Sequence, residues 1–372
     1  MESVKEKKVL VSGASMAGLS TAYWMNKLGY QVTIVELANE PRVEGGAVDI
    51  KGMTIEVVKR MGIYEQLLSN ALNLERIDFK NADDETVNSL FLERENEDRS
   101  ADEIEIERDK FVRILLDVLN NEVEFIFNNS ITTLDETEHE IMVNFKSGPE
   151  RSFDLVFGCD GIHSGVRKIW FGHENDYSHF LGAYSSIIIL NKLLVDQNTM
   201  QMYNVPNRGI MLNAYNNKTD LIFVFNSAEE IPYDYRDVSQ QRKIILEKFA
   251  GLSWRTKELM EEVQHSKGFY FDKFCQIKMS SWTKGRVALV GDAGYCASPA
   301  AGMGASLAVS GAGALADALQ KYDGNYKLAF QEYNENLRPF IEDVQAQAEL
   351  NLRQSFIPKT EEAIIKRNSQ GF

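Results

Sequence analysis

Within its first 36 residues the chain passes from a short apolar run, 8–12, into Gly13-Ala-Ser-Met-Ala-Gly18, then through an amphipathic stretch that stops at Gly29, and into a second apolar run over 31–36. Strand, glycine-rich turn, helix and strand within about 30 residues make a βαβ unit, whose strands lie parallel and whose helix must cover one face of the sheet. Gly13, Ser15 and Gly18 fill the three positions of G-x-G-x-x-G, with serine at the second. The first position allows the tight turn, the second lets backbone approach a pyrophosphate, and the third lets the helix pack on the sheet. The helix that opens there offers free N–H groups and a positive dipole end. Glu36, at the end of the second strand, stands where a carboxylate accepts ribose hydroxyls. Alone the degenerate glycine pattern also reads as a structural turn; with strand, helix and acid in place it predicts nucleotide binding.

A second glycine-rich construction lies near the C-terminal third, Gly285-Arg-Val-Ala-Leu-Val-Gly-Asp-Ala-Gly-Tyr295 followed by Pro299-Ala-Ala-Gly-Met-Gly304. Two such loops so far apart suggest one long cofactor held at both ends. Asp292 ends an apolar strand, and burying it bare would cost several kcal/mol. Its partner is a cofactor hydroxyl or, alternatively, the next helix, which it would cap. The helix opened by Pro299, Gly302, Met303, Gly304 and Ala305 offers its N-terminal amides to negative charge on a bound cofactor. Asp160-Gly161-Ile162-His163-Ser164, with Arg167 after it, also sits at a strand end and by itself reads as a capped strand-to-helix turn. No histidine stands at a catalytic spacing from a carboxylate or serine, so each reads as surface or capping.

Composition narrows the partner. Lys+Arg is 40 against Asp+Glu 55, and a net charge of −15 argues against nucleic acid and anionic membranes and for a small organic substrate. The three cysteines, Cys159, Cys275 and Cys296, are scattered, which speaks against a disulfide framework or a metal site and for reducing cytoplasm. The N-terminus shows no apolar leader. Residues 293–316 carry no charge, but their alanine, glycine and serine with Pro299 read as a buried loop and helix rather than a span.

Between these motifs, alternation over 74–92 predicts antiparallel strands, the acidic run 93–107 a solvated loop, and 109–120 a helix. Strands are expected over 123–127, 141–145 and 155–159, a separate sheet over 184–225, and helices over 239–249, 305–321 and 326–356. Among strand residues 201–215, Arg208, Asn213 and Tyr215 are the polar candidates for substrate contact. A solvated sheet face explains them equally well.

These three motifs, in this order and spanning nearly the whole chain, resemble the single-component, FAD-dependent aromatic monooxygenases of the para-hydroxybenzoate hydroxylase type. Gly45-Gly-Ala-Val-Asp-Ile-Lys-Gly52 and residues 276–286 are similar to the tetracycline-inactivating flavin monooxygenases within that group. Ser15 departs from the wider pattern, as does Gly294-Tyr295, where Ala-His is frequent. The resemblance implies non-covalent FAD held by Gly13, Ser15, Ala17, Gly18, Glu36, Leu37, Arg42, Gly46, Ala47, Asp49, Arg108, Asp160, Gly161, Gly291, Asp292, Pro299, Gly302, Met303, Gly304 and Ala305. Glu36 would hold the adenosine ribose and Asp292 the ribityl chain, with residues 45–52 beside the isoalloxazine.

It further implies NADPH or NADH as reductant and O₂ as co-substrate. One oxygen atom passes from the flavin C4a-hydroperoxide to an aromatic or polyketide-like molecule, with no catalytic side chain and no metal. A flavoprotein oxidoreductase without oxygen insertion, or a flavin-bearing sequestering protein, stays open as an alternative. The expected architecture is a doubly wound α/β FAD domain (1–72, 103–177, 268–325), an interleaved antiparallel substrate domain (73–102, 178–267) and a C-terminal bridging helix (326–372), as a monomer or weak homo-oligomer.

Overall fold

The computed structural model describes residues 7–41, 45–92, 103–119 and 122–370. Arg42 lies outside them. A six-stranded sheet runs in the order Thr283–Lys284, Val287–Leu289, Leu155–Gly158, Lys8–Ser12, Gln31–Val35 and Glu124–Ile126, parallel except at its first pair. Its central strands are almost continuous apolar runs, with Val9, Leu10, Val11, Val156 and Phe157 fully buried, as a sheet covered on both faces requires. The helix Met16–Lys27 lies against Gly304–Lys321, whose alanines and glycines let the two come close. The uncharged stretch is thus a buried loop and helix; no helix among the described residues is long and apolar enough to cross a membrane. A small antiparallel sheet, Ile131–Glu136, Ile141–Phe145 and Arg151–Phe153, joins the same core.

The second sheet has seven strands, ordered Tyr270–Ile277, Ser178–Leu190, Lys218–Asn226, Arg208–Tyr215, Thr199–Val205, Arg76–Lys80 and Thr86–Phe91. Tyr270–Ile277 is therefore one of its strands, although the reading from sequence grouped 268–325 with the FAD domain. Alternation divides its faces. Leu212, Leu221 and Phe223 pack under the helices Val238–Phe249 and Thr256–His265, while Met202, Met211 and Val224 look toward Ala300, Ala348 and Leu352. The second face therefore opposes the glycine-rich loop at 299–304.

Two expectations need correction. Within the acidic run, Glu103–Ile106 is a strand paired antiparallel with Val48–Lys51. Its Glu-Ile-Glu-Ile alternation buries Ile104 and Ile106, a period-two signal hidden by the surrounding charge; residues 93–102 lie outside the described set. The C-terminal helix does not run unbroken to 356. It spans Tyr326–Asn351, widens into a π turn over Leu352–Phe356, and is followed by a further helix, Glu361–Gln370. Pro358 disfavours helical backbone at Ile357, whose φ is −135° and ψ 74°.

Candidate active site

The C-terminal ends of three adjacent parallel strands bring the glycine motifs into contact. Gly13 turns with φ 104°, and a Cβ there would stand 2.6 Å from the Cys159 carbonyl oxygen, so neither the backbone sign nor the space admits another residue. A Cβ on Gly18 would stand 1.8 Å from the Gly13 carbonyl oxygen, and one on Gly291 3.1 Å from Ala17 Cβ. The first loop thus touches the Asp160 motif on one side and the Asp292 motif on the other. Glu36 accepts the Ala14 N–H at 2.7 Å on one oxygen and the Ala38 N–H at 2.8 Å on the other, and each oxygen keeps capacity for a further donor. Leu37 beside it is exposed. Ser15 Oγ accepts from Arg108 Nη2 at 3.0 Å, next to the first-turn amides of the Met16–Lys27 helix.

Residues 45–51 bridge from the first loop to the third. A Cβ on Gly45 would stand 2.5 Å from Arg108 Cδ. Further along, Ser306 Oγ donates to the Asp49 carbonyl at 2.8 Å and accepts the Lys51 N–H at 3.0 Å. Asp49 also faces Gly302, where a Cβ would lie 3.3 Å from its carboxylate. Pro299–Ala301 forms a single 3-10 turn, Gly302 is left-handed, Met303 caps, and Gly304 and Ala305 begin the long helix. Asp292 is the first residue of the short helix Asp292–Tyr295, with Gly291 in the capping place. Burial raises its carboxyl pKa, opposed by the Cys296 thiol and, at longer range, by Arg108 and Arg167.

The Asp160 motif satisfies itself. Ser164 and the Val166 N–H donate to its carboxylate, Ser164 caps Gly165–Trp170, and burial still raises the Asp160 pKa. Gly161 supplies the positive φ of the turn. The fully buried Arg167 donates to the carbonyls of Ala293 and Ile162, tying this motif to the third. His163 is neither surface nor cap, contrary to the reading from sequence. Its Nδ1 lies 3.1 Å from Glu174, its Nε2 3.3 Å from Asp272, and its ring stacks on Tyr235. Burial alone would lower its pKa, but the two carboxylates outweigh burial and push it up to about 9. No spacing in the sequence announces this bridge, because Asp272 is on the other sheet.

A ligand laid from Glu36 to Ala305 meets, in order, a carboxylate with spare acceptor capacity, the amide-rich start of a helix beside an arginine, a buried carboxylate, and a second helix start. That order suits ribose, pyrophosphate, ribityl chain and the electron-accepting edge of a flavin, so the residues present fit FAD. Residues 6–348 match the FAD binding domain family. A flavin-dependent monooxygenase from an unknown prokaryotic organism is 34% identical over 345 residues, covering 91% of this chain and 88% of that one. This chain is an FAD-dependent monooxygenase. A second enzyme of that description, from Legionella longbeachae, is 34% identical over 360 residues, covering 96% of this chain and 91% of its own. Among solved structures, the tetracycline destructase Tet(51) superposes with a TM-score of 0.87 at 34% identity, covering 98% of this monooxygenase and 94% of that chain.

On the seven-stranded sheet the three candidate residues separate. Arg208 lies on the face of Ile210 and Leu212 and donates to the Lys248 carbonyl at 2.9 Å, so it holds a helix and does not face the glycine-rich loop. Asn213 and Tyr215 lie on the opposite face with Met211, both buried, and the Tyr215 hydroxyl donates to Asp220 at 2.8 Å. Sequence reasoning missed Asp220 and Glu105. Burial, against its bonds from Tyr215 and Ala47, lifts Asp220 to about 6, while burial and the charges of Asp49 and Asp220 lift Glu105 to about 7. Asp220 carried the same signal as Asp292, a lone carboxylate in an apolar strand.

Proposed function

We propose that the monooxygenase uses NADPH or NADH to insert one oxygen atom into a polycyclic, electron-rich small molecule of the tetracycline type. The observation that carries this reading is the likeness over nearly the whole chain to Tet(51), a tetracycline destructase. The sheet face toward the glycine-rich loop supports it: Met200, Met202, Met211 and Ile222 form an adaptable apolar face with Asn213 as a polar point, a chemistry suited to a flat ring system.

When bound, FAD accepts reducing equivalents and activates O₂ for transfer. The chain binds and orients it. Glu36 holds the adenosine ribose, and the amides of Met16 to Gly18 with Arg108 hold the pyrophosphate. Asp292 takes the ribityl hydroxyls, and residues 45–49 with the amides at Gly304 and Ala305 flank the ring. The sheet face excludes water where oxygen is transferred. This division of labour makes the six-stranded unit the cofactor domain, the seven-stranded unit the substrate domain, and the C-terminal helices the element across both.

NAD(P)H oxidation is measured with phenols, polyketides and tetracyclines, with mass spectrometry of products. Substrate-stimulated consumption with a product one oxygen atom heavier is expected for at least one polycyclic compound. Consumption yielding only hydrogen peroxide with every compound would overturn the substrate assignment, and no stimulation by any would favour a sequestering role.

A further inference from the structure

We propose that Asp220 is a positioning residue that seats residues 45–49, and through them the flavin ring, against the substrate-side sheet. The proposal rests on the placement of residues 45–49 beside the ring given above. Three contacts carry it. Across the gap between segment and sheet, the Ala47 backbone N–H favours the charged form of the Asp220 carboxylate. The Tyr215 hydroxyl donates to both Asp220 oxygens, at 2.8 and 2.9 Å, and fixes the carboxylate from the neighbouring strand. A Cβ on Gly46 would stand 2.9 Å from Asp220 Oδ2, so the segment lies directly on this carboxylate.

The remaining contacts of the segment named above, to Arg108 and Ser306, are on the cofactor side. Asp220 is therefore the polar point at which the sheet meets the segment, with Ile187 beside it as the apolar one. A carboxylate only 3% exposed near the start of a largely apolar strand costs stability unless its bonds are made, and its contact with the backbone at Gly46 is one that strand packing alone would not need. The charged groups around it are Lys218, Glu107 and Glu105.

FAD-loaded wild type, D220N and Y215F are compared by amide hydrogen exchange over 45–51 and by visible circular dichroism of the bound flavin. D220N is expected to keep one FAD per chain, to exchange about tenfold faster over 45–51, as loss of one buried bond predicts, and to change the flavin dichroism. Y215F, which leaves the carboxylate in place, should shift both readouts less and in the same direction, and carries the test if D220N folds poorly. Wild-type exchange and dichroism in both variants would overturn the role of Asp220. Faster exchange with unchanged dichroism would overturn the placement of residues 45–49 at the ring, and the proposal with it.

Discussion

Arg108 reaches across 93 residues to donate to Ser15 Oγ at 3.0 Å, at the position where the glycine pattern has its second glycine. Serine is small enough to admit a pyrophosphate and adds an acceptor that orients the guanidinium beside it. Ser15→Ala should lose a charge-assisted bond worth about 1 to 2 kcal/mol in this part-buried setting, or roughly 5- to 30-fold in FAD affinity. Fluorescence titration checks this. Ser15→Gly should lose as much, and wild-type affinity in the glycine variant would show that the hydroxyl contributes nothing.

Gly18 is the tightest backbone contact of the first loop. Both partners are main chain, so Gly18→Ala must displace the helix from the sheet and should cost about 3 kcal/mol or more. Gly304→Ala meets nothing within 4 Å and sits at a helix start, so it should be neutral to slightly stabilising. Thermal melts of the flavin-free chain distinguish the two, and equal melting temperatures would refute the contact argument.

The His163 bridge makes stability depend on pH. Its folded pKa is raised from 6.5 to about 9, so its contribution is complete below about 6.5 and is lost as pH rises through 9. Its partners Glu174 and Asp272 are both lowered: burial would raise them, but the His163 contacts prevail, so their contribution is lost only in acid. Arg167, Tyr233, Tyr270 and Lys273 complete the surroundings. Wild type should lose on the order of 2 kcal/mol between pH 6.5 and 9.5 beyond what His163→Gln loses. Parallel urea-denaturation curves against pH for the two proteins would contradict this.

Asn213 and Arg208, five residues apart on one strand, should differ in function because they face opposite ways. Asn213→Leu should change kcat/KM for an accepted substrate by roughly 5- to 150-fold at constant FAD content, the effect of about 1–3 kcal/mol in a buried polar contact. Arg208→Ala should lower stability by about 1 kcal/mol through the lost bond to Lys248 and leave substrate preference unchanged. A substrate effect from Arg208 comparable to that of Asn213 would reverse the assignment of the faces.

Burial pushes the thiols of Cys159 and Cys275 up to about 12 and also raises that of Cys296 well above its ordinary value, leaving poor nucleophiles. Acid precipitation should therefore release all the flavin to the supernatant. Yellow protein in the pellet would reveal a covalent link.

The glycine-rich loops of this monooxygenase were legible in one dimension because their structure is local: a strand, a turn with forced glycines and a helix start are adjacent in sequence, and each leaves its own signature. Gly13, Gly18, Glu36 and Asp292 could all be singled out that way. Tertiary structure alone decided the rest. Arg208 was separated from Asn213 by sheet alternation and its covering helices, and the strand at Glu103–Ile106 formed because Val48–Lys51 supplied its partner. His163 was brought to Asp272, and Asp220 to the backbone at Gly46, residues far away in sequence. A buried charge acquires its function from whatever is brought within about 3 Å of it, and that is set by packing between two sheets rather than by spacing along the chain.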